Sequence, residues 1–166
     1  MDWPTLHIRI NHFPIIVSVV GFAALVVALF VRRRSVWLFA VAMLTLAGLS
    51  IYPVFLTGDE AGDAVRHTWY VVPSMVREHD AAAGFALWAT LIMGAVSAYV
   101  WWRMVRREPE VLPPVWLRVV VTVIAAWALS VIVRTAYLGG LIVHDSPRLA
   151  SPPPGYVPPP DTGGRQ

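Results

Sequence analysis

Four long apolar runs dominate the chain, at about 15–31, 36–56, 81–102 and 115–143, and most charged residues fall between or beyond them. A bilayer-crossing helix needs roughly 20 mostly apolar residues, and all four runs meet that length or come close to it. The first is short. The last is long and interrupted near Gly139-Gly140, so its far part is expected outside the lipid. The pattern predicts an all-α fold, an integral membrane four-helix bundle of up-down topology, occupying residues 1–150. No connection is long enough to hold a soluble domain, the longest being 57–80.

Small residues within the runs indicate which helix faces touch. Apolar side chains gain little by leaving lipid for one another, so helices in a membrane meet where backbones come close. In the third run Ala82, Ala86, Thr90, Gly94 and Ala98 recur every four residues, and His79 continues that stripe outward. Val41, Thr45, Gly48 and Tyr52 form a similar row in the second run, and Thr122, Ala126, Ser130 and Arg134 in the fourth. The short links between runs one and two, and between three and four, predict antiparallel neighbours within each pair. The halves look loosely repeated: each opens with a His outside a helix (His12, His79) and closes with a Tyr followed by Gly (Tyr52 to Gly58, Tyr137 to Gly139).

Charge adds an orientation. All 13 basic residues are Arg. Arg32, Arg33, Arg34, Arg103, Arg106, Arg107 and Arg118 share one side with Glu108 and Glu110. The other side carries Asp2, Asp59, Glu60, Asp63, Glu78, Asp80, Asp145 and Asp161 against Arg9, Arg66, Arg77, Arg148 and Arg165. The excess of arginine in short loops predicts that the first side is cytoplasmic. Both termini then face the periplasm of a bacterial inner membrane. Aromatics fit interfacial belts, with Trp37, Trp101, Trp102 and Trp116 at one level and Trp3, Tyr52, Trp69, Tyr70 and Tyr137 at the other. Trp88 and Trp127 lie deeper and read as packing residues. The opening Met-Asp-Trp-Pro has neither a basic stretch nor a small-residue cleavage site, so the first run is expected to be retained.

Composition narrows the chemistry. The chain is 57% hydrophobic and has no cysteine. Structural disulfides, covalent c-type haem and cysteine-ligated iron–sulfur clusters are therefore excluded. No nucleophile–base pair or paired carboxylates lie within the runs, so an enzyme is not expected. Nothing points to nucleic acid. The runs contain no Asp or Glu, which argues against a proton-coupled pump.

The candidate chemistry is a set of five histidines, all on the less basic side. Asn11 or His12 precedes Pro14, a residue suited to a first helical turn, and reads either as an interfacial cap or as a ligand. In the sharper reading His12 and His79 face each other across the bundle and bind a metal or the iron of a b-type haem. Glu78 and Asp80 flank His79 as candidate partners of the ligating ring. His7 and His144 are further candidates. His67 follows Asp63 by four residues and reads as a solvated pair. Arg134 is the charge set well inside an apolar run. It either meets an anionic group, such as Asp59, Asp80, a cofactor carboxylate or a lipid phosphate, or reaches to the interface.

The tail, 151–166, should be extended polyproline II. Pro152, Pro153, Pro154, Tyr156, Pro158, Pro159 and Pro160 would suit an aromatic-lined groove on a neighbouring subunit.

His7, His12-Phe13-Pro14, Thr57-Gly58, Gly139-Gly140 and His144 together resemble the signature of a family of small bacterial four-span membrane proteins of unknown function. The resemblance covers most of residues 6–146. Ile8 stands where that family has proline, Asn11 where it has an apolar residue, and His144 lies closer to Gly-Gly. The resemblance implies four spans and a suspicion of haem or metal, and no reaction. The expectation is a non-catalytic accessory or scaffolding subunit of a larger membrane complex, plausibly a respiratory or photosynthetic electron-transfer assembly, with lipid and other membrane subunits as partners. The alternatives are a redox protein with b-type haem or metal on the histidines, and a pigment-binding subunit.

Overall fold

A computed structural model describes residues 2–66, 68–108, 111–144, 154, 155 and 157. Five helices follow one another: α1 Trp3–Ile10, α2 His12–Val31, α3 Arg34–Val65, α4 Pro73–Val105 and α5 Val115–His144. With α1 and α2 taken together, the four long helical segments are each long and apolar enough to cross a membrane. The all-α four-helix bundle expected from the hydropathy pattern is observed.

Asp2 starts α1 by accepting the Thr5 N–H at 3.0 Å. Asn11 between α1 and α2 is itself helical (φ −63°, ψ −25°), so the two run on almost continuously. The interruption is explained by Pro14, which has no N–H to give the carbonyl four residues earlier. At the other end of α2, Arg32 adopts a left-handed conformation (φ 54°) and its N–H caps Ala28 O at 3.1 Å. A two-residue link then reverses the chain into α3. Arg34, at the start of α3, donates to the carbonyls of Met104 and Arg107, which lie where α4 ends. These are among the carbonyls a helix C-terminus leaves unpaired.

The helices form a closed ring in which α2 packs on α3, α3 on α4, α4 on α5 and α5 on α2, while α1 lies along α3. The core is made of Leu25, Ala28, Trp37, Ala40, Val41, Leu44, Val100 and Val121, with further small residues between them. The backbones of α3 and α4 approach very closely. A Cβ added to Gly48 would lie 2.6 Å from the Gly94 Cα, and the reverse distance is 2.7 Å. No side chain fits there, as expected of small residues at membrane-type helix contacts.

Several expectations need correction. The helices α3 and α4 extend well past 56 and before 81, so the acidic segment of the long connection is largely helical. Gly139-Gly140 does not break α5, which runs to His144. Trp37 is fully buried rather than at an interface. Trp88 and Trp127 are 66% and 48% exposed, so they face away from the core. In α5 the inward row is Leu117, Val121, Ala125, Ala128 and Ile132, leaving Ala126, Ser130 and Arg134 on the outside. The α4 stripe follows the expectation over Ala82, Ala86, Thr90 and Gly94, which are buried, while Ala98 is half-buried.

Candidate functional site

Two histidines at the acidic end are held in the same way. His7, half-buried on α1, places Nδ1 3.2 Å from the carbonyl oxygen of Val54 and 3.2 Å from Thr57 Oγ1 on α3. The Thr57 hydroxyl donates to the same carbonyl at 2.9 Å. A carbonyl only accepts, so the Nδ1 of His7 must carry the proton. The neutral ring then keeps its lone pair on Nε2. Beneath the ring lies Gly58, where an added Cβ would come within 2.9 Å of the imidazole Cε1.

His79, half-buried on α4, repeats this against α5. Its Nδ1 lies 3.1 Å from the carbonyl of Thr135. A Cβ on Gly139 would meet its Cε1 at 3.0 Å. In both units the accepting carbonyl is followed four residues later by the glycine that seats the ring. The Thr135 hydroxyl donates to Ala82 O at 3.1 Å and to Val131 O at 2.9 Å, joining α5 to α4 beside the ring. Each imidazole thus clasps a neighbouring helix through backbone. Among the described residues, every hydrogen bond of either ring is made by Nδ1.

The histidines seated against neighbouring helices are His7 and His79, where His12 and His79 were expected to face each other. His12 is exposed and its Nδ1 turns back to Ile8 O of its own helical segment at 3.2 Å. His144 is exposed at the last residue of α5, and Arg134 is exposed on the outer face of that helix. The expected carboxylate partners do not reach the His79 Nδ1, which a carbonyl occupies. Asp80 instead stands beside Gly62 on α3 and 3.7 Å from Arg66, which also meets Asp63 at 3.2 Å. These pairs are solvated and contribute little to stability. His67, Pro152, Pro153, Tyr156, Pro158, Pro159 and Pro160 lie outside the described residues, and Pro154 sits in a turn with Gly155.

Sequence reasoning missed the roles of Val54, Thr135 and the two seating glycines. A glycine near the end of each of two helices was the available signal. Among the described residues, no group of three or more His, Asp or Glu is arranged to hold a metal ion. Two imidazoles whose Nε2 atoms make no hydrogen bond among the described residues suit a group that needs only one or two axial ligands. No family model matches the chain, and comparison with curated proteins and with solved structures finds no match.

Proposed function

We propose that the protein is a small, non-catalytic subunit of a membrane electron-transfer assembly that offers His7 and His79 as axial ligands, most simply to a b-type haem. One observation carries this reading: both rings are fixed through Nδ1–H to a helix carbonyl, the arrangement that orients a ligating imidazole and leaves Nε2 basic. The excess of arginine in the short loops favours a cytoplasmic position for the opposite end, and on that reading the site faces the periplasmic side of a bacterial inner membrane.

A reduced-minus-oxidised absorption spectrum of the protein, purified gently from its own membranes, tests this. The expected result is a sharp haem band at stoichiometric level. It should be lost in His7→Ala and His79→Ala and kept in His12→Ala. A featureless spectrum from the unaltered protein ends the assignment. A magnesium-tetrapyrrole band instead would make it a pigment-binding subunit.

A second reading, an accessory subunit without its own cofactor, is favoured by the outer face of α5. Ala126, Ser130 and Arg134 form a small and polar row that is exposed and that no helix among the described residues covers. Such rows ordinarily face another helix. Here the two histidines act only as clasps. Migration as a lone small protein after mild solubilisation would remove this reading.

A further inference from the structure

A cavity of about 270 Å³ lies at the arginine end, between the end of α4 and the start of α5. Its wall includes the apolar side chains of Val100, Met104, Leu112 and Leu117, with Arg103 and Arg107 beside them. Val100, Met104 and Leu117 are buried, so this wall is part of the packed bundle. Among the described residues no carboxylate lines the cavity, and Glu108, next in sequence to Arg107, is exposed outside it. Pro113 and Pro114 close the loop side and have no N–H to offer an anion. The nearby carbonyls of Met104 and Arg107 already accept from Arg34. Arg103 is steadied by Tyr99, donating to its hydroxyl at 3.1 Å. Exposed Trp101, Trp102 and Trp116 flank this end of the helices. Such aromatics sit at headgroup level in a bilayer.

We propose that this cavity binds one anionic phospholipid, with its phosphate between Arg103 and Arg107 and the upper part of an acyl chain against the apolar wall. Charge complementarity selects the headgroup, and an apolar wall within reach of two guanidiniums would be wasted on a free ion. The proposal rests on membrane insertion of the four long segments and is independent of any cofactor on the histidines.

The test uses the full chain in detergent, stripped of lipid and titrated with phosphatidylglycerol, phosphatidylcholine or inorganic phosphate under native mass spectrometry. One phosphatidylglycerol should bind in preference to phosphatidylcholine. A phosphate contact from arginine near a membrane surface is worth about fivefold in affinity, so Arg103→Gln with Arg107→Gln should weaken binding roughly 25-fold. Leu112→Trp keeps both charges but fills the cavity, and should also weaken it. Far-UV circular dichroism identifies a variant that fails to fold, and Arg103→Lys with Arg107→Lys, which keeps the charge, should retain most of the binding. Equal retention of both lipids, or unchanged phosphatidylglycerol affinity in the folded double Gln variant, would overturn the proposal. Saturable binding of inorganic phosphate with the same dependence on the arginines would overturn the lipid as occupant.

Discussion

Adjacent glycines at 139 and 140 offer a test of the histidine seat with its own control. A Cβ at Gly139 would lie 3.0 Å from the His79 Cε1 and 3.3 Å from its Nδ1, while at Gly140 nothing lies within 4 Å. Either Gly→Ala change in a helix interior gains about 1 kcal/mol of helix propensity. At Gly139 the ring must also give by a few tenths of an ångström to reach ordinary contact. Its bond to Thr135 O is 3.1 Å, so that displacement lengthens or bends the bond and weakens it. Interhelical hydrogen bonds in membranes average about 0.6 kcal/mol and reach about 1.7. Gly140→Ala should therefore be more stable by about 1 kcal/mol, and Gly139→Ala close to unchanged or weaker. Reversible unfolding in mixed detergent micelles reads the difference, and nitrogen-15 NMR of the imidazoles reads its cause. The His79 Nδ1–H signal should shift or exchange faster in Gly139→Ala alone. Equal stability of the two variants, together with an unchanged His79 ring signal in both, would refute the seat.

Gly94→Ala forces α3 and α4 apart and should cost about 1–3 kcal/mol, as overpacking does. Gly84→Ala on the same helix meets nothing within 4 Å and serves as the comparison in the same unfolding assay. Trp37→Ala leaves a core cavity and should cost about 3–5 kcal/mol, a loss that thermal melts in detergent would show. The hydrogen bond from Thr5 holds the Asp2 carboxyl below its usual value of 3.8. A carboxyl lowered in the folded state supports the α1 start above pH 3.8 and loses that support as pH falls through the folded value. Trp3 fluorescence should accordingly report fraying of α1 in that acid range, and Asp2→Asn should shift or flatten the transition.

The hydropathy pattern gave the four long segments and placed the histidines at one end. It also placed His79 inward, because its neighbours at four-residue spacing are small. It could not choose between His7 and His12. Five residues on a nearly continuous helix turn about 140°, so only one of the two rings can face α3. Which one does depends on how α1 lies on α3, a tertiary fact. Trp37 failed for a related reason: the interfacial-belt rule knows depth along the helix but not direction around it. The α5 row of Ala126 and Ser130 was legible as a contact face, yet no helix among the described residues covers it. His7, Thr57, Gly58 and Gly139 stood in the resemblance signature, and the fold gathers them into the two clasps.

The glycine contact between α3 and α4 has a mechanical meaning for the histidine end. His7 is fastened to α3, whereas His79 belongs to α4 and is fastened to α5. The separation of the imidazoles therefore depends on the angle at which α3 crosses α4. Fifteen residues of α4 separate Gly94 from His79, a lever of about 22 Å. A rock of about 5° about that pivot would move one ring by about 2 Å relative to the other, a displacement comparable with a metal–nitrogen bond. Two hydrogen atoms, the side chains of Gly48 and Gly94, thus set the geometry of a site some four helical turns away.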